Sequence, residues 1–208
     1  RSPQPAVRRA VLHALTRCSY QAHAAAAAAV YAQIRAEGND AAWTLHALQE
    51  LQGADPATLL RAALEREYAS QKANILALLS FICPPDAVRR AQDILTAARV
   101  TTDQRAYALE TLDIVTPQEL KPIVMALVEE LTLSQRQQQL DIVYHAPAMN
   151  RAERICNIIV DGSERFTIWT QACAVDAVAR LGLSTLAGVV LDVTHSHDPL
   201  LRETAVAT

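Results

Sequence analysis

Apolar residues recur at spacings of three and four along nearly the whole chain, which is the period of an amphipathic helix. No stretch shows the strict alternation of apolar and polar residues that predicts a β-strand. Proline, glycine and N-cap residues divide the pattern into about a dozen helical segments. The predicted segments are 5–17, 21–37, 40–51, 57–83, 86–99, 102–115, 117–131, 134–144, 149–161, 163–181, 184–194 and a last helix that begins at Asp198.

The composition also favours an all-α fold. Hydrophobic residues make up 51% of the chain but aromatic residues only 4%, and there are 5 glycines, which suits closely packed helices better than sheets. The formal net charge of −3 gives no general attraction to polyanions and argues against a nucleic-acid partner. The longest apolar stretches, 24–30 and 75–83, are shorter than the roughly 20 residues that a membrane-spanning helix needs.

Cysteine spacing bears on the redox environment. Cys18, Cys83, Cys156 and Cys173 lie far apart among apolar neighbours, and none belongs to a C-x-x-C pair. This pattern is typical of buried, reduced thiols in a cytosolic protein rather than of disulfides or metal ligands.

A short motif occurs near both ends of the chain. Pro5-Ala6-Val7-Arg8-Arg9 matches Pro199-Leu200-Leu201-Arg202-Glu203, with arginine three residues after proline in both. Arg105–Leu112 reproduces Arg8–Leu15, and Gln171–Val178 is a weaker copy, about one helical hairpin before Arg202. We therefore predict one domain over 1–208, an irregular right-handed α-solenoid of antiparallel helical hairpins. Successive second helices would form its concave binding surface.

The pattern D-P-x-[LV]-R-x-x-A resembles the second-helix signature of HEAT repeats. It is complete in Asp198–Ala205 and partial in Gln4–Val11, where Val11 replaces the small residue. The resemblance implies a structural ladder in which each repeated arginine bonds to an acid or a carbonyl of a neighbouring unit. The residues with this structural role are Pro5, Arg8, Arg105, Gln171, Asp198, Pro199 and Arg202.

A longer stretch carries a more specific resemblance. Arg105–Asp113, followed by Gln118-Glu119-Leu120-Lys121 and an apolar run to Leu127, is similar to the HEAT segment of bacterial transporter-like membrane proteins. Those proteins look like ATP/ADP translocases of the major-facilitator type and often add a cyclic-nucleotide-binding domain. The resemblance implies a non-catalytic scaffold at the cytoplasmic face of the membrane, with the membrane part or that domain as partners. The helix that begins at Asp198 and stops at Thr208 also predicts a piece of a longer chain.

The residues point to no catalytic, cofactor or metal site. The chain has no glycine-rich phosphate loop and no serine, cysteine or threonine nucleophile in a recognisable elbow, so we predict that it is not an enzyme. His195-Ser196-His197-Asp198 is the densest group of metal ligands, but Asp198 is already explained as a helix cap.

Two other functions stay open at this point. One is a HEAT-like bilin lyase subunit, and the other is a nucleic-acid-binding HEAT protein, which needs a basic concave groove with aromatic residues. Trp43 and Trp169 are interpreted as core anchors, and the alanine run 24–29 as a closely packed helix face. The basic positions are Arg8-Arg9 with Arg17, Arg89-Arg90, and Arg151-Arg154-Arg165.

Overall fold

The computed structural model of the chain describes residues 4–53, 57–97 and 99–208. Within these residues it has eleven α-helices and no β-strand, which confirms the all-α prediction. The helices are α1 (Pro5–Arg17), α2 (Ala24–Glu50), α3 (Thr58–Ser80), α4 (Pro85–Thr96), α5 (Thr102–Val115), α6 (Lys121–Val128), α7 (Leu133–Asp141), α8 (Arg151–Asp161), α9 (Ile168–Arg180), α10 (Ala187–Val193) and α11 (Pro199–Ala207). Short 3-10 turns at Gly162–Glu164 and Ser184–Leu186 precede α9 and α10.

Contacts within the chain group it into two compact units, which we describe separately. The first unit combines the chain up to Arg8 with Thr44–Ala69 and Pro147–Thr208, and the second combines Arg9–Trp43 with Ser70–Ala146. In the first unit α9 packs on both α8 and α11. In the second unit α4 packs on α5, α5 on α6, and α6 on α7. The single domain and the solenoid arrangement stay predictions.

Several helix starts follow capping chemistry that can be read from the sequence. Thr101, Thr132 and Asn150 precede α5, α7 and α8, and each forms a capping box with a Gln or Glu three residues later. Asp198 is confirmed as the cap of α11, because its Oδ1 accepts the backbone N–H of Leu200 at 2.9 Å. Asp55 and Pro56, which precede the predicted segment 57–83, lie outside the described residues.

Two predicted helices form one helix in the structure. The sequence pattern predicts a break at Gly38-Asn39, but α2 continues through both residues. Gly38 is buried, and a Cβ atom at this position would lie 2.8 Å from Ile123 Cγ2 and against the hydroxyl of Tyr144. The break prediction is therefore wrong, because this glycine serves the close approach of neighbouring groups rather than the end of a helix.

Gly38→Ala should lower the free energy of unfolding by about 1–3 kcal/mol, since overpacking outweighs the better helix propensity of alanine. Tyr144 is held in place because its hydroxyl donates to the carbonyl of Arg35 at 2.8 Å. The control is Gly188→Ala in α10, where an added Cβ meets nothing within 4 Å. Urea denaturation should show the control stabilised by about 0.5–1 kcal/mol. A Gly38→Ala variant as stable as that control would contradict the account.

A buried ion pair joins α2 to α8 in the first unit. Arg154 is only 1% exposed, and its Nε and Nη2 donate to the two carboxylate oxygens of Glu50 at 2.7 and 2.8 Å. Nη2 also donates to the carbonyl of Pro147, and Arg151 Nε donates to the backbone carbonyl of Glu50 at 3.1 Å. Glu50 is the last residue of α2, so two cations of α8 meet the negative end of a helix. Arg151 and Arg154 therefore have a structural role.

Arg154→Met should lower the free energy of unfolding by about 3 kcal/mol, because it leaves a partly buried carboxylate without its partner. Arg151→Met removes one bond to a carbonyl and should cost about 1 kcal/mol. The double variant Glu50→Met/Arg154→Met should be more stable than Arg154→Met alone. Urea denaturation of the three variants provides the test, and a double variant less stable than Arg154→Met would refute the pairing argument.

A second carboxylate organises the start of α9 in the same unit. Glu67 of α3 is 4% exposed, and its Oε1 accepts the backbone N–H of Thr167 at 2.9 Å and the hydroxyl of Thr170 at 2.7 Å. Thr167 is the N-cap of α9. The carboxylate therefore meets the positive end of a helix, where negative charge is stabilised.

Two packing predictions are wrong in part. Trp43 is a core residue at 5% exposure, but Trp169 is 46% exposed and is not a core anchor. In the alanine run, residues 26 and 27 are half-buried, whereas residues 24, 25, 28 and 29 are exposed. The run therefore presents an open face along most of its length, because alanine favours the helix whether or not a neighbour covers it.

Candidate functional site

A groove opens in the second unit between α1, α3 and α4. It encloses about 480 Å³, which is within the usual range of ligand pockets. Ser19 and Tyr20, which follow α1, also line it. We call it the α1–α3–α4 groove. Its lining residues are Arg9, Leu12, His13, Thr16, Arg17, Ser19, Tyr20, Ala73, Asn74, Ala77, Ser80, Phe81, Pro85, Val88, Arg89 and Gln92.

The floor of the groove is apolar and rigidly packed. Leu12, Phe81 and Val88 are 7%, 2% and 0% exposed. Phe81 also packs against Tyr20 in an edge-to-face arrangement, with ring centroids 5.4 Å apart. Ala73 and Ala77 stand four residues apart on one face of α3, and their short side chains leave the space that larger residues would fill.

The rim of the groove is basic. The charged side chains that line it are Arg9, Arg17 and Arg89, and no aspartate or glutamate is among the lining residues. Arg89 bonds to Asp86 at 2.6 Å in an exposed i,i+3 pair, which solvent screens. Within the described part of the chain, Arg17 makes no ion pair or hydrogen bond through its side chain. The groove therefore presents positive charge around an apolar floor.

Three of the polar lining side chains form hydrogen bonds within the fold. The hydroxyls of Thr16 and Ser80 donate to carbonyls of their own helices, at 2.9 and 2.7 Å. Asn74 donates at 3.0 Å to Glu37, a carboxylate of α2 that is 1% exposed. These three side chains hold the walls of the groove in place.

The turn at the end of α1 places Tyr20 in the lining of the groove. Ser19 has a φ of 52°, in the left-handed region, and its N–H donates to the carbonyl of Thr16, while the N–H of Tyr20 donates to that of Leu15. These two bonds form a Schellman turn. The next residues fasten the chain to the end of α3, because Gln21 Nε2 donates to the carbonyl of Ser80 and the N–H of Ala22 to that of Phe81.

Each repeated arginine bonds to an acid or a carbonyl. Arg8 Nη2 lies 3.4 Å from the carbonyl of Glu164, and Arg202 Nη1 donates at 3.1 Å to the carbonyl of Ser196 within its own segment. Arg105 pairs with Glu130 at 3.0 Å in the second unit. Of these arginines, only Arg8 belongs to a helix that lines the α1–α3–α4 groove.

The other signature residues are also placed by the helices. Pro5 and Pro199 are the first residues of α1 and α11, where a missing N–H costs nothing. Gln171 lies in α9 and is 3% exposed, with its side chain against Gly162. Among the described residues, no group of three or more His, Cys, Asp or Glu side chains could hold a metal ion.

The cysteines divide into two classes. Cys83 and Cys173 are buried, and burial raises the pKa of each thiol from 9.0 to about 11. Cys156 is half-buried, and Cys18, at the end of α1, is exposed. The prediction of a buried thiol is therefore wrong for Cys18, because this residue lies in the exposed turn that follows α1.

A second concavity lies along α8 in the first unit. It encloses about 540 Å³ and its charged lining residues are Glu153 and Asp161. Glu153 belongs to the capping box of α8, and Asp161 accepts a hydrogen bond from Asn157 at 2.8 Å. Both carboxylates already have partners within the helix, so we regard the α1–α3–α4 groove as the stronger candidate.

Comparison with protein-family models, with curated proteins and with solved structures gives no match to this chain. Among the described residues, no helix combines the length and the apolar character needed to cross a lipid bilayer.

The sequence contained part of the signal for this groove. Arg9, Arg17 and Arg89 all belong to basic positions noted from the sequence, but the pattern alone does not show that α1 and α4 bring them to one rim. The absence of acidic lining residues is likewise a property of the assembled groove. Ala73 and Ala77 were the remaining signal, because two alanines one helical turn apart indicate a helix face with short side chains.

Ser19→Gly should raise the free energy of unfolding by about 0.5–1 kcal/mol, since glycine adopts the left-handed conformation without a Cβ penalty. The reciprocal control is Gly182→Ser at the end of α9, where the glycine has a φ of 63° and the same pair of hydrogen bonds forms. That variant should lose about 1 kcal/mol. Thermal and urea unfolding measure both changes. Destabilisation by Ser19→Gly would show that the turn is held by the serine side chain instead.

Proposed function

We propose that this chain is a non-catalytic protein-interaction module that binds a segment of a partner polypeptide in the α1–α3–α4 groove. The observation that carries the proposal is the apolar floor of Leu12, Phe81 and Val88 beneath a basic rim. Such a floor accepts one or two apolar anchor side chains, which supply most of the binding free energy in helix-groove recognition. Because the walls are fixed by hydrogen bonds within the fold, binding would require little ordering.

The proposed architecture is an irregular α-solenoid of HEAT-like hairpins. The Pro-x-x-Arg pattern of α1 and α11 supports it, together with the packing of the consecutive pairs α4–α5 and α8–α9. A stack of hairpins leaves one helix face of each unit available to a partner, which is how solenoids provide extended binding surfaces.

The proposed setting is the cytoplasmic side of a bacterial transporter-like membrane protein. Its support is the resemblance carried by Arg105–Asp113 and the segment that follows to Leu127. In that setting the bound segment would belong to the membrane part or to a cyclic-nucleotide-binding domain, and the module would act as a regulatory scaffold.

Site-specific photo-crosslinking tests the interaction directly. A benzophenone amino acid at Ala73, an exposed groove position, should crosslink in cell extract of the source organism to a discrete polypeptide that mass spectrometry identifies by its crosslinked segment. The same amino acid at Ala106 is the matched control, because that residue is exposed on α5 of the same unit and does not line the groove.

Ala77→Trp provides the second control, since its indole would fill the floor of the groove. This variant should abolish the crosslink from Ala73 while circular dichroism shows an unchanged helix content. Equal crosslinking from Ala73 and Ala106, or a crosslink that survives Ala77→Trp, would contradict the proposed binding site.

A further inference from the structure

We infer that the partner segment is an acidic amphipathic helix, with carboxylates that meet the arginine rim and a bulky apolar side chain that enters the floor. This inference rests on the proposed interaction function and adds the chemistry of the partner. It follows from the charge distribution in the groove, from the groups that are already paired, and from the size of the floor.

Charge complementarity selects an acidic occupant. The chain as a whole carries a formal net charge of −3, yet every charged side chain on the groove lining is an arginine. A local reversal of sign attracts carboxylates to this rim and repels basic segments, which steers the encounter and sets specificity. Arginine also binds carboxylates through two parallel hydrogen bonds, which gives the contact directionality.

Two of the arginines are ready to accept a carboxylate. The guanidinium of Arg17 makes no ion pair or hydrogen bond with any described residue. Arg89 has a partner in Asp86, but the side chains in that pair are 62% and 77% exposed. An exposed pair of this kind is weak, so a carboxylate on a bound segment can replace Asp86 at small cost.

The floor requires an apolar anchor as well as charge. Leu12, Phe81 and Val88 have no side-chain hydrogen-bonding group. A purely polar anion would therefore leave the floor of the groove unfilled. A volume of about 480 Å³ accommodates a few side chains, such as a phenylalanine with a leucine one helical turn away. A nucleic acid carries no aliphatic side chain that could serve as this anchor.

The experiment uses three fluorescein-labelled peptides of about 14 residues with the same leucine and phenylalanine anchors. The polar face carries glutamate in the first peptide, glutamine in the second and lysine in the third. Fluorescence anisotropy measures the dissociation constant of each for the full chain at about 50 and 300 mM NaCl. The glutamate peptide should bind at least about tenfold tighter than the lysine peptide at low salt, and the difference should shrink at high salt.

Charge reversal on the protein locates the binding. Arg17→Glu/Arg89→Glu should weaken binding of the glutamate peptide at least about tenfold and strengthen binding of the lysine peptide, because the sign of the charge on the rim is inverted. Arg90→Glu is the matched control, since Arg90 neighbours Arg89 on α4, is exposed and does not line the groove. The control should change the dissociation constant less than about twofold, as expected for a charge outside the interface. These surface substitutions leave the apolar floor intact.

The outcomes separate the inference from the proposed function. Equal affinity of the glutamate and glutamine peptides, with both abolished by Ala77→Trp, would overturn the acidic partner while keeping the groove as an interaction site. Absence of the Ala73 crosslink in the chain that retains Ala77 would overturn the interaction function itself. The inference would also be overturned if Arg17→Glu/Arg89→Glu left the dissociation constants unchanged, or if none of the peptides bound.

Competition identifies any other occupant. The glutamate peptide should not be displaced by a single-stranded oligonucleotide or by dodecanoate at concentrations comparable to its dissociation constant, and the chain should not form dimers that the peptide dissociates. Dimers that the peptide dissociates would assign the groove to a second copy, displacement by the oligonucleotide to a nucleic acid, and displacement by dodecanoate to a small anionic amphiphile. Each of these three results would overturn an acidic polypeptide as the occupant.

Discussion

The packing of this helical chain depends on carboxylates that are buried or half-buried and must therefore be paired. Glu50 meets Arg154 in the first unit, Glu67 meets the start of α9 in the same unit, and Glu37 accepts hydrogen bonds from Asn74 and Gln33 in the second. Desolvating an unpaired carboxylate is costly, so only helix positions that supply these partners are compatible with the fold. The apolar contacts supply most of the driving force, whereas the paired charges restrict how the helices can slide against each other.

The groove is a consequence of one such pairing. Asn74 is bonded to Glu37 on the α2 side of α3, and this fixes the rotation of α3 in the second unit. Ala73, Ala77 and Ser80 then line the groove, where their small side chains leave it open. The Schellman turn at Ser19 places Tyr20 against Phe81, so the same local structure ends α1 and builds the floor. Arg17 and Arg89 on the rim are exposed to solvent, where a ligand can reach them.

Local sequence rules predicted where the helices lie in the chain better than they predicted which residues pack against each other. The bounds of α1 and α5 agree with the apolar period and with the Thr101 capping box, because both depend on neighbouring residues only. The break expected at Gly38 was wrong because the role of that glycine depends on Ile123 and Tyr144, far away in sequence. Exposure of Trp169 and of the alanine run, and the gathering of Arg9, Arg17 and Arg89, likewise depend on tertiary packing.

The central claim is that the α1–α3–α4 groove binds an acidic polypeptide segment, and hydrogen–deuterium exchange of the full chain with and without the glutamate peptide tests it most directly. Binding slows exchange where backbone opening is suppressed, so the method locates the site without any substitution. The account predicts added protection in peptides that cover residues 9–22 and 73–92, with α9 and α11 unchanged. Protection confined to other helices, with the groove segments unaffected by the bound peptide, would contradict it.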